Sequence, residues 1–415
     1  MSSDATPDPY ADPMTFGQRM QILRERRGMS RTVLGGLLGR SPEWVKQVEK
    51  GGIRAPGVDV VLRIAEALRV RQLAELTGRP SEVDLFAGPG HPRLAAVRSA
   101  VDALAPMRGK QAPTPAQLRA RLARAWAARH SSPHHREVVG SLLPDLIRDA
   151  QLAVRQAERP ADWRAAQSAL SEVYSLCQFF VAYQPDAALL WRVAERGMVA
   201  AQQADDPHAV GVSAWLLAQA HRDSGPKHFD PADTITHDAL AHLDPMLADG
   251  DANLVAIAGA LWFEAAYTAA RRGDTGTAWR HWDTARRVAD QLPEHYYHPV
   301  TSFSRAVIGA HAVTVAVELR AGRESVRQAA GMDPASIPSR PRRARHRIEE
   351  ARAHQLNGQP EIAVATLAQA HQEAPETVRY NGYARRILLE ETESRVAYRR
   401  RRASQLAVEI GLLAA

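Results

Sequence analysis

The sequence predicts an all-α protein in two parts, a small N-terminal helical bundle followed by a long stack of paired helices. Three observations carry this expectation. Apolar residues recur at spacings of three and four along most of the chain, and no stretch alternates apolar and polar residues as a half-buried strand would. Gly, Pro, Ser and Asp interrupt those segments where caps and tight turns need them. In the C-terminal three-fifths, helical segments come in pairs that recur every few tens of residues. A length of 415 residues fits two or three domains, and 45% hydrophobic content is that of a folded chain.

Residues 1–13 hold Pro7, Pro9 and Pro13 among three aspartates and read as a flexible tail. Phe16 to Arg27 is predicted helical, with Phe16, Met20 and Leu23 inward. Ser30 can cap a second helix whose inward side chains are Val33, Leu34, Leu37 and Leu38. Gly39 ends it, because glycine enters the left-handed C-cap conformation cheaply. Gly35 and Gly36 inside this helix cost about 1 kcal/mol each relative to alanine, while permitting close packing. Ser41 caps a third helix, with Pro42 at its first position, where a missing N–H is harmless. Trp44, Val45 and Val48 form the apolar side of that helix and leave Glu43, Lys46 and Gln47 facing out. A loop at Gly51, Gly52, Pro56 and Gly57 leads to a helix from Val58 to Leu68. A segment around Leu73 and Leu76 then closes a bundle of four or five helices over residues 14–79. Two short helices, a tight turn and an exposed polar face make a helix-turn-helix.

Residues 80–115 read as a Gly- and Pro-rich linker interrupted by an apolar helix from about Leu94 to Leu104. Residues 116–376 read as helical repeats and residues 377–415 as a helical cap. Ala116–His130 and Arg136–Arg155 come first. The pairs follow: Trp163–Tyr183 with Pro185–Gln203, His208–His221 with Asp233–Leu247, and Leu254–Arg272 with Thr275–Gln291. Ser302–Ala321 with Arg323–Ala330 and Arg342–Leu356 with Pro360–Gln372 complete the series. The clearest repeat has Trp262, Ala265, Ala266 and Ala269 on one helix, Gly273–Asp274 at the turn, and Ala278, Trp282 and Ala285 on its partner. A second copy turns at Asn357–Gly358 and continues with Ala363, Leu367 and Ala370. These spacings resemble tetratricopeptide repeats.

The N-terminal bundle resembles the Cro/C1-type (Xre-type) helix-turn-helix family. The resemblance rests on Leu23, Arg24 and Arg27, on Gly28–Met29–Ser30, and on the Gly39–Arg40–Ser41 turn. It continues with Val45, Val48, Glu49 and Gly51, with Pro56, and with Leu62, Ile64, Ala65 and Leu68. It covers about the first fifth of the chain. Arg31 stands where many relatives carry glutamine, which favours a phosphate contact there and leaves base preference open. The resemblance implies a DNA reader whose second motif helix, Ser41 to Lys50, enters the major groove. It makes Glu43, Lys46 and Gln47 the base-edge candidates and Arg31, Arg40, Ser41 and Arg54 the phosphate-contact candidates.

Charge agrees with that expectation. Residues 14–79 carry thirteen basic and six acidic side chains, an excess equal to the formal net charge of +7 of the whole chain. A small basic domain on a nearly balanced body is the footprint of nucleic-acid binding. Arginine greatly outnumbers lysine throughout, so arginine abundance alone carries little weight.

In the repeat region, Tyr174, Phe179, Tyr183, Trp215, Tyr267 and Trp279 occupy helical positions and are the candidates for a groove, although aromatics at such spacing more often fill a core. Cys177, the single cysteine, lies among apolar residues and reads as a buried thiol; one cysteine excludes an intramolecular disulfide. His134–His135 and His295–Tyr296–Tyr297–His298 lack a metal-ligand pattern with a nearby acid. The basic runs Arg340–Arg347 and Arg399–Arg402 read as solvated helix faces. There is no phosphate loop or nucleophile elbow, and no apolar run of the ~18 residues that span a membrane.

The expectation is a non-enzymatic, cofactor-free transcriptional regulator of bacterial type, cytoplasmic and nucleoid-associated when bound. Its partners would be double-stranded DNA, a second copy in a homodimer, and a peptide, protein or small-molecule effector at the repeat domain. The alternative is a non-transcriptional interaction scaffold that uses both helical domains.

Overall fold

Among the described residues, capping side chains set nine of the twenty α-helix starts. The computed structural model describes residues 14–53, 56–68, 70, 76–77, 90–103, 111–249 and 251–413. They fall into two compact units, Met1–Val83 and Asp84–Ala415. Among the described residues there are twenty α-helices and no strand.

Four helices lie in the first unit: α1 (Phe16–Arg26), α2 (Arg31–Leu38), α3 (Pro42–Glu49) and α4 (Val58–Ala67). Thr15 accepts from the Gln18 N–H while the Gln18 side chain accepts from the Thr15 N–H, a capping box that starts α1. Helix α2 packs on α3 and α4, and α1 packs on α3. Met20, Leu34, Leu38, Val45, Val48, Ile64 and Leu68 form the core, with Phe16, Leu23 and Trp44 partly buried against it. The expected inward positions of α2 need correction. Leu34 and Leu38 are buried, but Val33 is 51% and Leu37 60% exposed. A helix of eight residues has room for one packed stripe, and Gly35 shares it with Leu34 and Leu38.

The second unit opens with α5 (Leu94–Asp102), the helix expected inside the linker. Its Leu94, Val97, Ala100 and Val101 are buried in this unit's core. Helices α6 (Pro115–Ser131), α8 (Pro160–Val181), α10 (Pro207–Asp223), α12 (Ala252–Arg272), α14 (Ile308–Glu318) and α16 (Arg340–Leu356) alternate with six others. Those are α7 (His135–Gln156), α9 (Ala187–Ala204), α11 (Phe229–Leu243), α13 (Thr275–Ala289), α15 (Gly322–Ala330) and α17 (Pro360–Glu373). Each even-numbered helix from α6 to α14 packs both on its odd-numbered successor and on the next even-numbered helix. That two-way contact is what stacked helix pairs produce. Asp186, Asp206, Asp251 and Asp274 cap α9, α10, α12 and α13, and Gly273 turns between α12 and α13 at φ +82°. The small residues of the two clearest repeats, Ala265, Ala266, Ala269, Ala278 and Ala285, then Ala363 and Ala370, are buried where paired helices approach.

The inner row closes on itself, because α16 also packs on α6. At this seam His130 of α6 meets Ser339, the residue before α16, through Nδ1 and Oγ at 2.8 Å, and its Nε2 lies 2.7 Å from the Pro299 carbonyl. Helices α18 (Pro375–Tyr380), α19 (Gly382–Thr392) and α20 (Ala397–Glu409) follow and share a second core with α16 and α17.

Two expectations are corrected in this unit. The helix expected from Ser302 begins only at Ile308. Ahead of it lie an extended Ser304 and a single 3-10 turn, Arg305–Val307, and the loop's Phe303 fills the space beside Gly259. The run Arg340–Arg347 is not a solvated face. It forms the first turns of α16, an inner helix flanked on both sides. Arg343 is bound to Glu373, and Arg342 and Arg345 line a central cavity. No helix among the described residues is long and apolar enough to cross a membrane.

Candidate nucleic-acid interface and central cavity

Two serine caps and one glycine turn build the α2–α3 unit. Ser30 accepts from the Val33 N–H and Ser41 from the Trp44 N–H. Gly39 sits at φ +64°, and the Arg40 N–H reaches back to the Gly35 carbonyl at 2.8 Å, closing a Schellman-type end. The turn folds so tightly onto α2 that a Cβ on Gly35 would lie 2.7 Å from the Arg40 carbonyl oxygen. A Cβ on Gly36 would meet nothing within 4 Å.

The base-edge candidates come together on the outer side of α3. Lys46 Nζ lies 3.1 Å from Glu43 Oε2, and Gln47 Nε2 donates to Glu43 Oε1 at 2.9 Å. Hydrogen bonds from Gln47, then Lys46, hold the Glu43 carboxyl below the usual carboxylate range. The three side chains thus form one polar cluster offering donors and acceptors together. Arg40 is exposed and sits over the Trp44 ring at 5.5 Å. Ser41 is exposed; its oxygen caps α3, which leaves its O–H free to donate. Arg54 lies outside the described residues.

Arg31 is placed differently from a free phosphate clamp. Its Nε donates to Glu49 Oε2 at 2.7 Å, and its side chain is 37% exposed. Glu49 is fully buried and also takes Arg24 Nε at 2.6 Å, while Arg24 Nη1 donates to the Met29 carbonyl at 2.7 Å. The hydrogen bond to Glu49 raises the Arg24 guanidinium above its ordinary value against the cost of burial. One carboxylate therefore ties the end of α3 to α1 and to the start of α2. This triad was missed in the sequence; the signal for it was an acid at position 49, directly after Val48 on the inner side of α3.

In the second unit, the inner helices line a half-open cavity of about 200 Å³. Of the groove candidates, Phe179, Tyr183, Trp215 and Tyr267 line it. Tyr174 and Trp279 do not. Tyr174 is core, its hydroxyl accepting from Gln151 Nε2 at 3.1 Å, and Trp279 on outer helix α13 packs edge-on against Trp282. Both follow the helical period without facing the inside of the ring. Arg129, Arg136, Arg222, Arg342 and Arg345 also reach the cavity, against two acids, Asp223 and Glu264. Cys177 is buried, and burial pushes its thiol far above the ordinary range. Among the described residues no three His, Cys, Asp or Glu side chains are placed to hold a metal ion.

Residues 15–79 match the family described as a helix-turn-helix domain. No curated protein matches the chain. Two solved structures are similar over most of its length. One is Bacillus thuringiensis PlcR in complex with the peptide PapR7 and DNA, at 11% identity and TM-score 0.30, covering 85% of this chain and 99% of that one. The other is ComR from S. thermophilus in complex with DNA and its signalling peptide ComS, at 12% identity and TM-score 0.27, covering 86% and 99%. Scores this low carry neither geometry nor function across. The family match and the capped α2–α3 turn agree on the same residues, and residues 15–79 are a helix-turn-helix domain.

Proposed function

We propose that the chain is a sequence-specific DNA-binding transcriptional regulator whose second unit takes an input, through an effector, a partner or a second copy in a homodimer. The observation that carries the proposal is the outer side of α3. There Glu43, Lys46 and Gln47 present donors and acceptors beside exposed Arg40 and Lys50, on a helix of the family's reading position. The positive excess of residues 14–79 supports the same partner.

Base readers and phosphate contacts respond differently. Lys46→Glu replaces a donor with an acceptor and should abolish selection of a preferred site from genomic fragments while leaving thermal stability unchanged. Arg40→Ala should weaken all sequences alike and reduce the salt slope by about 1. A Lys46→Glu protein that selects the same fragments as the parent, at fixed salt, would refute the assignment. The Arg31 contact to Glu49 gives that residue two separable tasks. Arg31→Ala lowers the salt slope if the remaining guanidinium nitrogens touch phosphate, and lowers only stability if they do not.

A further inference from the structure

The inner helices carry an unevenly distributed set of charges. Where α12, α14 and α16 meet, every cation has a carboxylate: Arg352 Nη1 lies 2.7 Å from both Glu318 and Glu349, and Arg345 pairs with Glu349. Arg222 on α10 pairs with Glu264 and stacks on the Tyr267 ring at 3.9 Å. At the seam where α16 meets α6 the pattern stops. Arg129 of α6 and Arg342 of α16 line the cavity with no carboxylate partner among the described residues. Arg129 lies over Phe179 at 4.1 Å, and its Nη1 lies 3.4 Å from His130 Nδ1. Burial pushes Arg129 down to about 10, with Arg136 and Arg342 adding to the effect, and burial also lowers Arg342. Partly buried cations of this kind are costly unless something answers them.

Neutral donors and apolar walls complete the site. Trp215 Nε1 and His311 Nδ1 are buried, belong to residues lining the cavity, and have no hydrogen-bond partner among the described residues. His311 lies flat on Phe263 with ring centroids 3.6 Å apart. Tyr183 and Ser302, also in the lining, hold φ of +63° and +62°, a conformation that costs non-glycine residues energy and clusters at ligand sites.

We propose that this cavity binds a carboxylate carried on an aromatic or branched apolar group, with the carboxylate bridging Arg129 and Arg342 and the apolar part resting among Phe179, Trp215 and Phe263. Guanidinium and carboxylate match in charge and planar geometry, which favours a carboxylate over a neutral polar head. A small free acid and the C-terminus of a short peptide both offer this chemistry; a cavity of about 200 Å³ favours the small acid. Because the two cations sit on the two helices that close the ring, the bound anion screens their repulsion and tightens the seam. That the ligand acts as the effector rests on the regulator reading above; that it binds does not.

The test is calorimetric titration of the full chain with N-acetylphenylalanine, its amide, and a tetrapeptide ending in phenylalanine as free acid and as amide. The acid should bind at least about tenfold more tightly than its amide, the loss expected for one charge-assisted contact. Arg129→Met and Arg342→Met should each remove that preference, and neither should lower the denaturant midpoint of the second unit in the unliganded protein. Hydrogen exchange at the His130 end of α6 and the start of α16 should slow on adding the acid. The tetrapeptide arm separates the sources: stronger binding of its free acid than of N-acetylphenylalanine assigns the site to a peptide terminus and overturns the small-acid preference. Equal binding of acid and amide, an acid preference that survives both arginine substitutions, or no saturation by any of the four below about 10 mM overturns the proposal. Lys46→Glu serves as the control that separates the two readings: it should lose DNA selection and keep acid binding.

Discussion

The glycine pair in α2 offers a test in which two adjacent, chemically identical substitutions should differ in their effect on stability. Gly36 is exposed, and a Cβ there meets nothing within 4 Å. Gly36→Ala therefore gains the helix-propensity difference of about 1 kcal/mol with no steric term against it. Gly35→Ala gains the same propensity, but its Cβ would lie 2.7 Å from the Arg40 carbonyl oxygen and 3.3 Å from Ser41 backbone atoms. Those are backbone atoms of the turn itself, closed by the Arg40 N–H to Gly35 carbonyl bond, so they cannot swing away as a side chain would. Overpacking of this kind costs about 1–3 kcal/mol, which leaves Gly35→Ala neutral to about 2 kcal/mol destabilising. Because the chain has two units, a single melting curve would mix them. Hydrogen exchange of the α2 and α3 amides in the full chain isolates the change. Exchange through opening of this unit should slow about fivefold in Gly36→Ala and accelerate or stay unchanged in Gly35→Ala. Equal stabilisation by both alanines would show that the turn does not crowd Gly35, and with it the docking geometry of α2 on α3 would fall.

Other perturbations follow from the same contacts. Glu49→Leu removes the buried acceptor shared by Arg24 and Arg31 and should cost about 3–5 kcal/mol, the range for stranding a buried partner. The first unit should then unfold, seen as lost DNA binding and lost amide protection in residues 16–49, while the second unit melts as before. At the seam, burial and then neighbouring Arg129 push His130 down to about 4 from an ordinary 6.5. A depressed folded value means that its contribution is complete above pH 6.5 and lost as pH falls towards 4, by up to about 3 kcal/mol. Denaturant midpoints of the second unit for the parent and His130→Gln should therefore converge between pH 7 and pH 4. A constant gap across that range would show that His130 does not titrate against the seam. Glu43→Gln should release Lys46 and change which bases are selected without changing the salt slope of the preferred site by more than about 1.

What could be read in the sequence was local. Ser30, Gly39, Ser41 and Pro42 act on backbone groups within a few residues, so the helix-turn-helix and its outward Glu43, Lys46 and Gln47 followed from spacing alone. The Arg24–Glu49–Arg31 triad did not, because its members lie 25 and 18 residues apart and a buried acid looks like a surface acid until its partners are placed. Apolar periodicity places Val33 and Leu37 inward because it marks a stripe wider than a short helix can bury. In the second unit, helix pairs and their Gly273 and Gly358 turns were legible, but closure was not. His130 and Ser339 are 209 residues apart, and their meeting depends on the summed rotation of five stacked pairs, to which no single segment testifies. Without closure, Arg340–Arg347 could only be read as a charged surface.

The near balance of charge outside residues 14–79 invites the inference that the second unit is electrostatically quiet, and the arrangement of its side chains argues otherwise. Glu318, Glu349 and Glu264 are already engaged by Arg352, Arg345 and Arg222, and none of them forms an ion pair with Arg129 or Arg342 among the described residues. Balance over the unit is therefore compatible with an unanswered positive pair, Arg129 and Arg342, at the point where the ring closes. The bond from His130 Nε2 to the Pro299 carbonyl and the bond that its Nδ1 accepts from the Ser339 hydroxyl hold that closure, and the mutual repulsion of the two guanidinium groups works against it. A fold selected for stability alone would place methionine or leucine at either position, since well-packed apolar replacements of buried charges are commonly neutral or stabilising. Two opposed cations there instead agree with the proposed carboxylate site, and the seam is accordingly where a bound anion would change the second unit most.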